Sequence, residues 1–184
     1  MIPEINVSIE NSSYGEAAVV DVVLNDGATG SVTAYIGDIS NSSQVVNGQS
    51  KVYIYGVDVG VNQQVTVFYT GDDTYFNKTV NASMNVSKSD LAFDMNISDI
   101  HIGDDAVVLI TVPAKTSGNF TINGHIVSIP MSGEVSYIIP DLDVGNYTVN
   151  VKFEGKNYFD VEVRFNIMLA DVNRIISESV KDLL

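Results

Sequence analysis

Apolar residues recur at every second position through most of the chain. Val20, Val22 and Leu24 alternate with Val19, Asp21 and Val23, and Val149 and Val151 alternate with Asn150 and Lys152. A period of two sends successive side chains to opposite faces of a strand, whereas one face of a helix needs apolar residues three and four apart. The pattern predicts strands at about 5–9, 17–24, 31–36, 43–46, 50–55, 63–70 and 78–86, then at 91–97, 105–112, 118–123, 125–129, 134–139, 146–153 and 159–167. Asn25-Asp26-Gly27, Asn47-Gly48, Asn123-Gly124 and Ser132-Gly133 supply residues that tolerate positive φ between them. Connections this short favour antiparallel pairing, because a parallel return needs a crossover of roughly a dozen residues or more.

The strands fall into two sets because the landmarks recur in the same order. Tyr14-Gly15-Glu16-Ala17-Ala18-Val19-Val20 is answered by Ile102-Gly103-Asp104-Asp105-Ala106-Val107-Val108, and Val57-Asp58-Val59-Gly60 by Leu142-Asp143-Val144-Gly145. Val67-Phe68-Tyr69-Thr70-Gly71 with Thr74-Tyr75-Phe76 returns as Val151-Lys152-Phe153-Glu154-Gly155 with Asn157-Tyr158-Phe159. The polar stretch Ser87-Lys88-Ser89-Asp90 lies between the copies as a short linker. The expected organisation is a first domain over 1–87, a second over 88–167, and a tail over 168–184. In that tail Met168, Leu169, Val172, Ile175, Ile176, Val180, Leu183 and Leu184 take helical spacing, which predicts an amphipathic helix or connector.

About seven strands per copy is the number in a β-sandwich of immunoglobulin type. The segment Asp143-Val144-Gly145-Asn146-Tyr147-Thr148-Val149 has the form of the turn into that fold's strand F. Tyr147 is then expected to serve as a tyrosine corner, its hydroxyl bonding upstream backbone while Asp143 and Gly145 shape the turn. The first copy departs here, with Val61-Asn62-Gln63 where the tyrosine would stand. The fold class expected is all-β, two tandem immunoglobulin-like antiparallel sandwiches followed by a short C-terminal α-helix.

A net charge of -14 with nine lysines and arginines argues against nucleic acid and anionic membrane as partners, since both need a basic face. No apolar run in this fragment is long enough for membrane insertion, and Met1-Ile2-Pro3-Glu4 does not read as a signal peptide, so the natural chain is expected to extend beyond both ends. Cysteine is absent, which removes disulfides and thiol chemistry. His101 and His125 stand apart with no hydrolase or metalloprotease motif around them, and the chain is read as not an enzyme.

Composition alone leaves the compartment open; the tripeptide Asn-x-Ser/Thr bears on it. It occurs at nine asparagines: Asn6, Asn11, Asn41, Asn77, Asn81, Asn85, Asn96, Asn119 and Asn146. Read functionally, these are glycosylation acceptors of an extracellular, cell-surface protein. Read compositionally, they arise from strands rich in Asn, Ser and Thr. No cofactor is expected. The acids are ordinarily solvated loops; the alternative is a Ca²⁺ ion at the domain junction, held by Glu10, Glu16 and Asp58 with Asp90, Glu134 and Glu154. Tyr53, Tyr55, Phe68, Tyr69, Tyr75, Tyr137, Phe153 and Tyr158 divide between core and outward faces, where tyrosines can stack on sugars or proteins.

Leu142 to Val149 and Tyr69-Thr70-Gly71-Asp72-Asp73-Thr74-Tyr75 together resemble the Ig-like repeats of adhesin-like surface proteins of methanogenic archaea and similar bacterial Ig-like arrays. The resemblance spans about 5–167. It implies a non-catalytic stalk or spacer whose partners are neighbouring domains of the same polypeptide. The alternatives are a module binding host or microbial surface glycans or proteins through loop ends or a sheet face, and an accessory domain of an extracellular enzyme.

Overall fold

The computed structural model describes residues 1–97 and 100–169, and these residues form strands and turns with no helix. The chain divides into two compact units, Met1–Ser89 and a second that begins at Asp90.

The first unit contains β1 (Ile5–Ile9), β2 (Ser12–Ser13), β3 (Ala18–Leu24), β4 (Ser31–Ile36), β5 (Ile39–Gln44), β6 (Gln49–Ile54), β7 (Gly60–Tyr69) and β8 (Lys78–Ser87). Two sheets result, one in the order β1-β3-β6 and one in the order β2-β8-β7-β4-β5. All pairings are antiparallel except the short parallel one between β2 and β8. Period-two alternation aims Ala18, Val20, Val22 and Leu24 of β3 at Val32, Ala34 and Ile36 of β4 and at Val65, Val67 and Tyr69 of β7, and these residues form one buried cluster. Each fully buried Val or Ile contributes roughly 1.5–3 kcal/mol relative to exposure, so register is set by keeping this row inside.

The second unit repeats the order. It holds β9 (Asp94–Ile97), β10 (Ala106–Thr111), β11 (Asn119–Ile122), β12 (His125–Ser128), β13 (Glu134–Ile139), β14 (Gly145–Glu154) and β15 (Val161–Leu169), in sheets β9-β10-β13 and β12-β11-β14-β15. Phe120 on β11 and Phe153 on β14 are fully buried cross-strand partners with ring centroids 5.4 Å apart. The first unit has Val32 opposite Tyr69 at the same place.

Two expectations are corrected. The strand expected at 43–46 is β5, Ile39–Gln44, which leaves β4 through a tight turn at Gly37 (φ 55°). Its sequence Ile-Ser-Asn-Ser-Ser-Gln shows no apolar alternation because it is an edge strand, so the apolar pair Val45-Val46 drew the expected strand past its end. The helix expected from 168 begins inside β15: Met168 and Leu169 pair with Asn146 and Gly145, and Leu169 is buried in the second core. The rest of that helix, 170–184, lies outside the described residues.

Candidate functional site

Both units stabilise the turn into the long strand of the second sheet by tying a side chain back to upstream backbone. In the second unit Tyr147 donates its hydroxyl to the Asp143 carbonyl and accepts the Asp143 N–H, both at 3.0 Å. A Cβ on Gly145 would sit 3.6–3.7 Å from the Tyr147 ring, so the ring lies flush against the turn. In the first unit the register slips by a bulge between Gly60 and Gln63, with Asn62 at φ 51°. Gln63 then sends its Nε2 to the Asp58 carbonyl at 2.9 Å. Asp58 answers Asp143 in the repeat, so Gln63 substitutes for the corner tyrosine, one residue later.

The opposite end of the first sandwich is held by Asp72. Its carboxylate accepts the N–H groups of Thr29, Thr74 and Tyr75, each at 2.8 Å, and the Tyr69 hydroxyl at 3.1 Å. These bonds, that to Thr29 first and that to Tyr75 next, hold the Asp72 carboxyl well below its ordinary value of 3.8. Burial first, and the bond to Asp72 second, push Tyr69 up to about 12. The single Tyr69 hydroxyl proton is shared between Asp72 and the nearer Thr29 carbonyl at 2.7 Å, which closes the β3–β4 loop onto the β7–β8 loop. The second unit has Lys156 after the equivalent Gly155 and carries no such carboxylate there.

Among the surface concavities of the first unit, one rich in recognition chemistry crosses the outer face of β3 and β6 beside the segment that follows β1. It is an open groove of about 670 Å³ whose lining includes Glu10, Glu16, Val19, Lys51, Tyr53 and Tyr55. Val52 and Ile54 point into the core, so alternation sends Tyr53 and Tyr55 outward side by side, 44% and 65% exposed. Lys51 is held by Asp21 at 3.0 Å, which raises its pKa through that hydrogen bond and charge. The two phenols and the Glu10 and Glu16 carboxylates offer stacking surface and acceptors for hydroxyls or ammonium groups.

The sequence-derived acids are placed unit by unit. Glu10 follows β1, Glu16 accepts the Ser13 N–H at 3.0 Å, and Asp58 precedes β7. In the second unit Asp90 is exposed ahead of β9, Glu134 opens β13, and Glu154 pairs with Lys152 at 2.7 Å. Within either unit, among the described residues, no group of three or more His, Asp or Glu side chains converges as a metal site would. His101 lies 3.4 Å from Asp104 and is almost fully exposed. Of the nine sequon asparagines all are exposed except Asn85, which is half-buried. Asn41 spends its Nδ2 on the Tyr53 carbonyl at 2.8 Å and its Oδ1 on the Ser42 N–H at 2.9 Å. Asn11 accepts the Asn85 N–H, Asn85 the Asn62 N–H, and Asn81 the Thr66 hydroxyl.

Strand order and register define the class: each unit is an all-β sandwich of the immunoglobulin/fibronectin-III-like kind, with its first, second and fifth long strands in one sheet and the other four in the second. No protein-family model matches the chain, and no curated protein does. Solved structures that align with it include fibronectin(III)-like modules of Clostridium thermocellum CbhA, at 12% identity over 92% of this chain and 96% of that one, with a TM-score of 0.33. The Ig1-2 module of the Drosophila receptor protein tyrosine phosphatase DLAR aligns at 14% over 93% and 100%, TM-score 0.33. The titin I9-I11 tandem aligns at 10% over 92% and 66%, TM-score 0.39. The fold assignment rests on the pairing pattern.

Proposed function

We propose that this chain supplies two Ig-like domains of a cell-surface, adhesin-like protein and acts as a non-catalytic spacer that presents other parts of the polypeptide. The observation that carries the reading is duplication: one strand order is built twice, each time around its own core. Repetition of a self-sufficient module adds length without adding a site. The accessible sequon asparagines support an exterior location. The motif resemblance to adhesin-like repeats of methanogenic archaea supports the same reading. Replacing this chain in its parent protein by an unrelated pair of Ig-like domains of similar length tests it: a spacer predicts retained adhesion and surface display, and loss of adhesion with normal display refutes it.

The Tyr53–Tyr55 groove favours a second reading, in which the first unit binds a surface glycan or protein. Tyr53→Ala with Tyr55→Ala would then abolish adhesion in the otherwise intact parent, whereas a spacer tolerates the pair.

A further inference from the structure

The second sheet of the first unit turns an uncharged face outward. Its strands β4, β5, β7 and β8 contain a single charged residue, Lys78, which sits on the inward row opposite Tyr69 and donates to the Pro3 carbonyl. Outward rows read Thr79, Phe68, Thr33 and Ser42, then Asn81, Thr66, Tyr35 and Ser40. Tyr35 is 41% exposed and Phe68 half-buried. The same face of the second unit carries Lys152, Glu154, Glu162 and Arg164, paired along their strands. A chain of net charge -14 that keeps one repeat's face free of charge while the other is charged needs a reason.

We infer that this face is covered by the chain's own neutral N-glycans, attached at Asn77 and Asn81 and seated over Phe68 and Tyr35. The inference rests on the extracellular reading above. A strand places an Asn and the hydroxyl two residues on along one face, so Asn81 with Ser83 on β8 presents the acceptor tripeptide outward, and Asn77 stands exposed immediately before that strand. Phe68 lies directly opposite Thr79. It is therefore the diagonal neighbour of Asn81, at about 7–8 Å between Cα atoms, within reach of a long substituent, and Asn77 lies two residues before Thr79 at the end of the same ladder. Asn81 uses its Oδ1 to accept the Thr66 hydroxyl and leaves Nδ2 uncommitted, and Asn77 has no side-chain partner among the described residues. Asn41 differs, since its Nδ2 already closes the gap between the two sheets. In the transfer, Nδ2 bonds to the anomeric carbon of a polyprenyl-phosphate- or pyrophosphate-linked glycan, whose C–O bond breaks with its electron pair as Nδ2 loses a proton. The apolar faces of the first sugars then cover Phe68 and Tyr35, which explains aromatic rings on an otherwise hydroxyl- and amide-bearing surface.

The full chain secreted from an N-glycosylating eukaryotic cell line, compared with the same chain made in bacterial cytosol, tests this. Glycopeptide mass spectrometry is expected to find sugar at Asn77 and Asn81 and none at Asn41. The sugar should raise the Tm of the first unit by about 4 °C or more, and this increment should vanish in Phe68→Ser and shrink in Tyr35→Ser. The second variant stands if the first fails to fold. Sugar elsewhere but not at these two asparagines overturns the inference, as does an increment equal in wild type and both variants. Secretion with every sequon empty also overturns it, while surface placement, measured on cells of the source organism, is unaffected.

Discussion

Asp72 concentrates five donors on one carboxylate, three of them backbone N–H groups of two loops. Its depressed folded value means that the stability it contributes is complete above the ordinary value of 3.8 and is lost as pH falls below that. Tyr69 shifts the other way: its contribution is complete below 10.0 and is lost as pH rises toward about 12. Urea titrations of the first unit across pH should therefore fall off at both limits, and Asp72→Asn should flatten the acid limb. An unchanged acid limb in Asp72→Asn would show that the clamp does not hold the loops. In the second unit Tyr147→Phe should cost about 1 kcal/mol, the net worth of its hydrogen bonding to Asp143. A shift in urea midpoint confined to the second unit's transition is the readout. Ser50 is buried with its hydroxyl unpartnered among the described residues. Ser50→Ala should accordingly raise the first unit's stability by about 1 kcal/mol, and a loss on substitution would mean that the hydroxyl has an ordered partner.

Strands were the most legible elements, because the inward rows of β3, β10 and β14 are written as unbroken alternation. Edge strands were less so: β5 buries little, so its sequence records no periodicity and only its turn chemistry marks it. The same turn chemistry makes a prediction. Gly133 adopts φ 84° and a Cβ there would lie 2.2 Å from the Val112 carbonyl oxygen, whereas Gly124, at a similar φ of 84°, has nothing within 4 Å. Gly133→Ala should cost more than the roughly 1–3 kcal/mol of a strained backbone alone, and Gly124→Ala should cost only that strain; thermal melts of the two variants compare them directly. The corner in the first unit was illegible because a one-residue bulge moves its donor from the tyrosine position to Gln63. The groove was half legible. Alternation with Val52 and Ile54 places Tyr53 and Tyr55 outward, but that Glu10 and Glu16 line the same concavity depends on pairings distant in sequence.

At the scale of the whole molecule, the duplicated sandwich explains why the chain is rich in Val, Asn, Ser and Thr yet poor in convergent titratable groups: its residues serve two cores and two pairs of outward faces. The acidic charge is spread over loops and the outward faces of other strands, and one sheet face is kept neutral. Under the function proposed above, these features belong together in a module that would stand outside the cell and hold other domains in place. Brief protease treatment of intact cells of the source organism, with released peptides identified by mass spectrometry, measures that claim most directly. The account predicts peptides from within 1–169 in the supernatant while cytosolic proteins remain inside; recovery of those peptides only after lysis would contradict it.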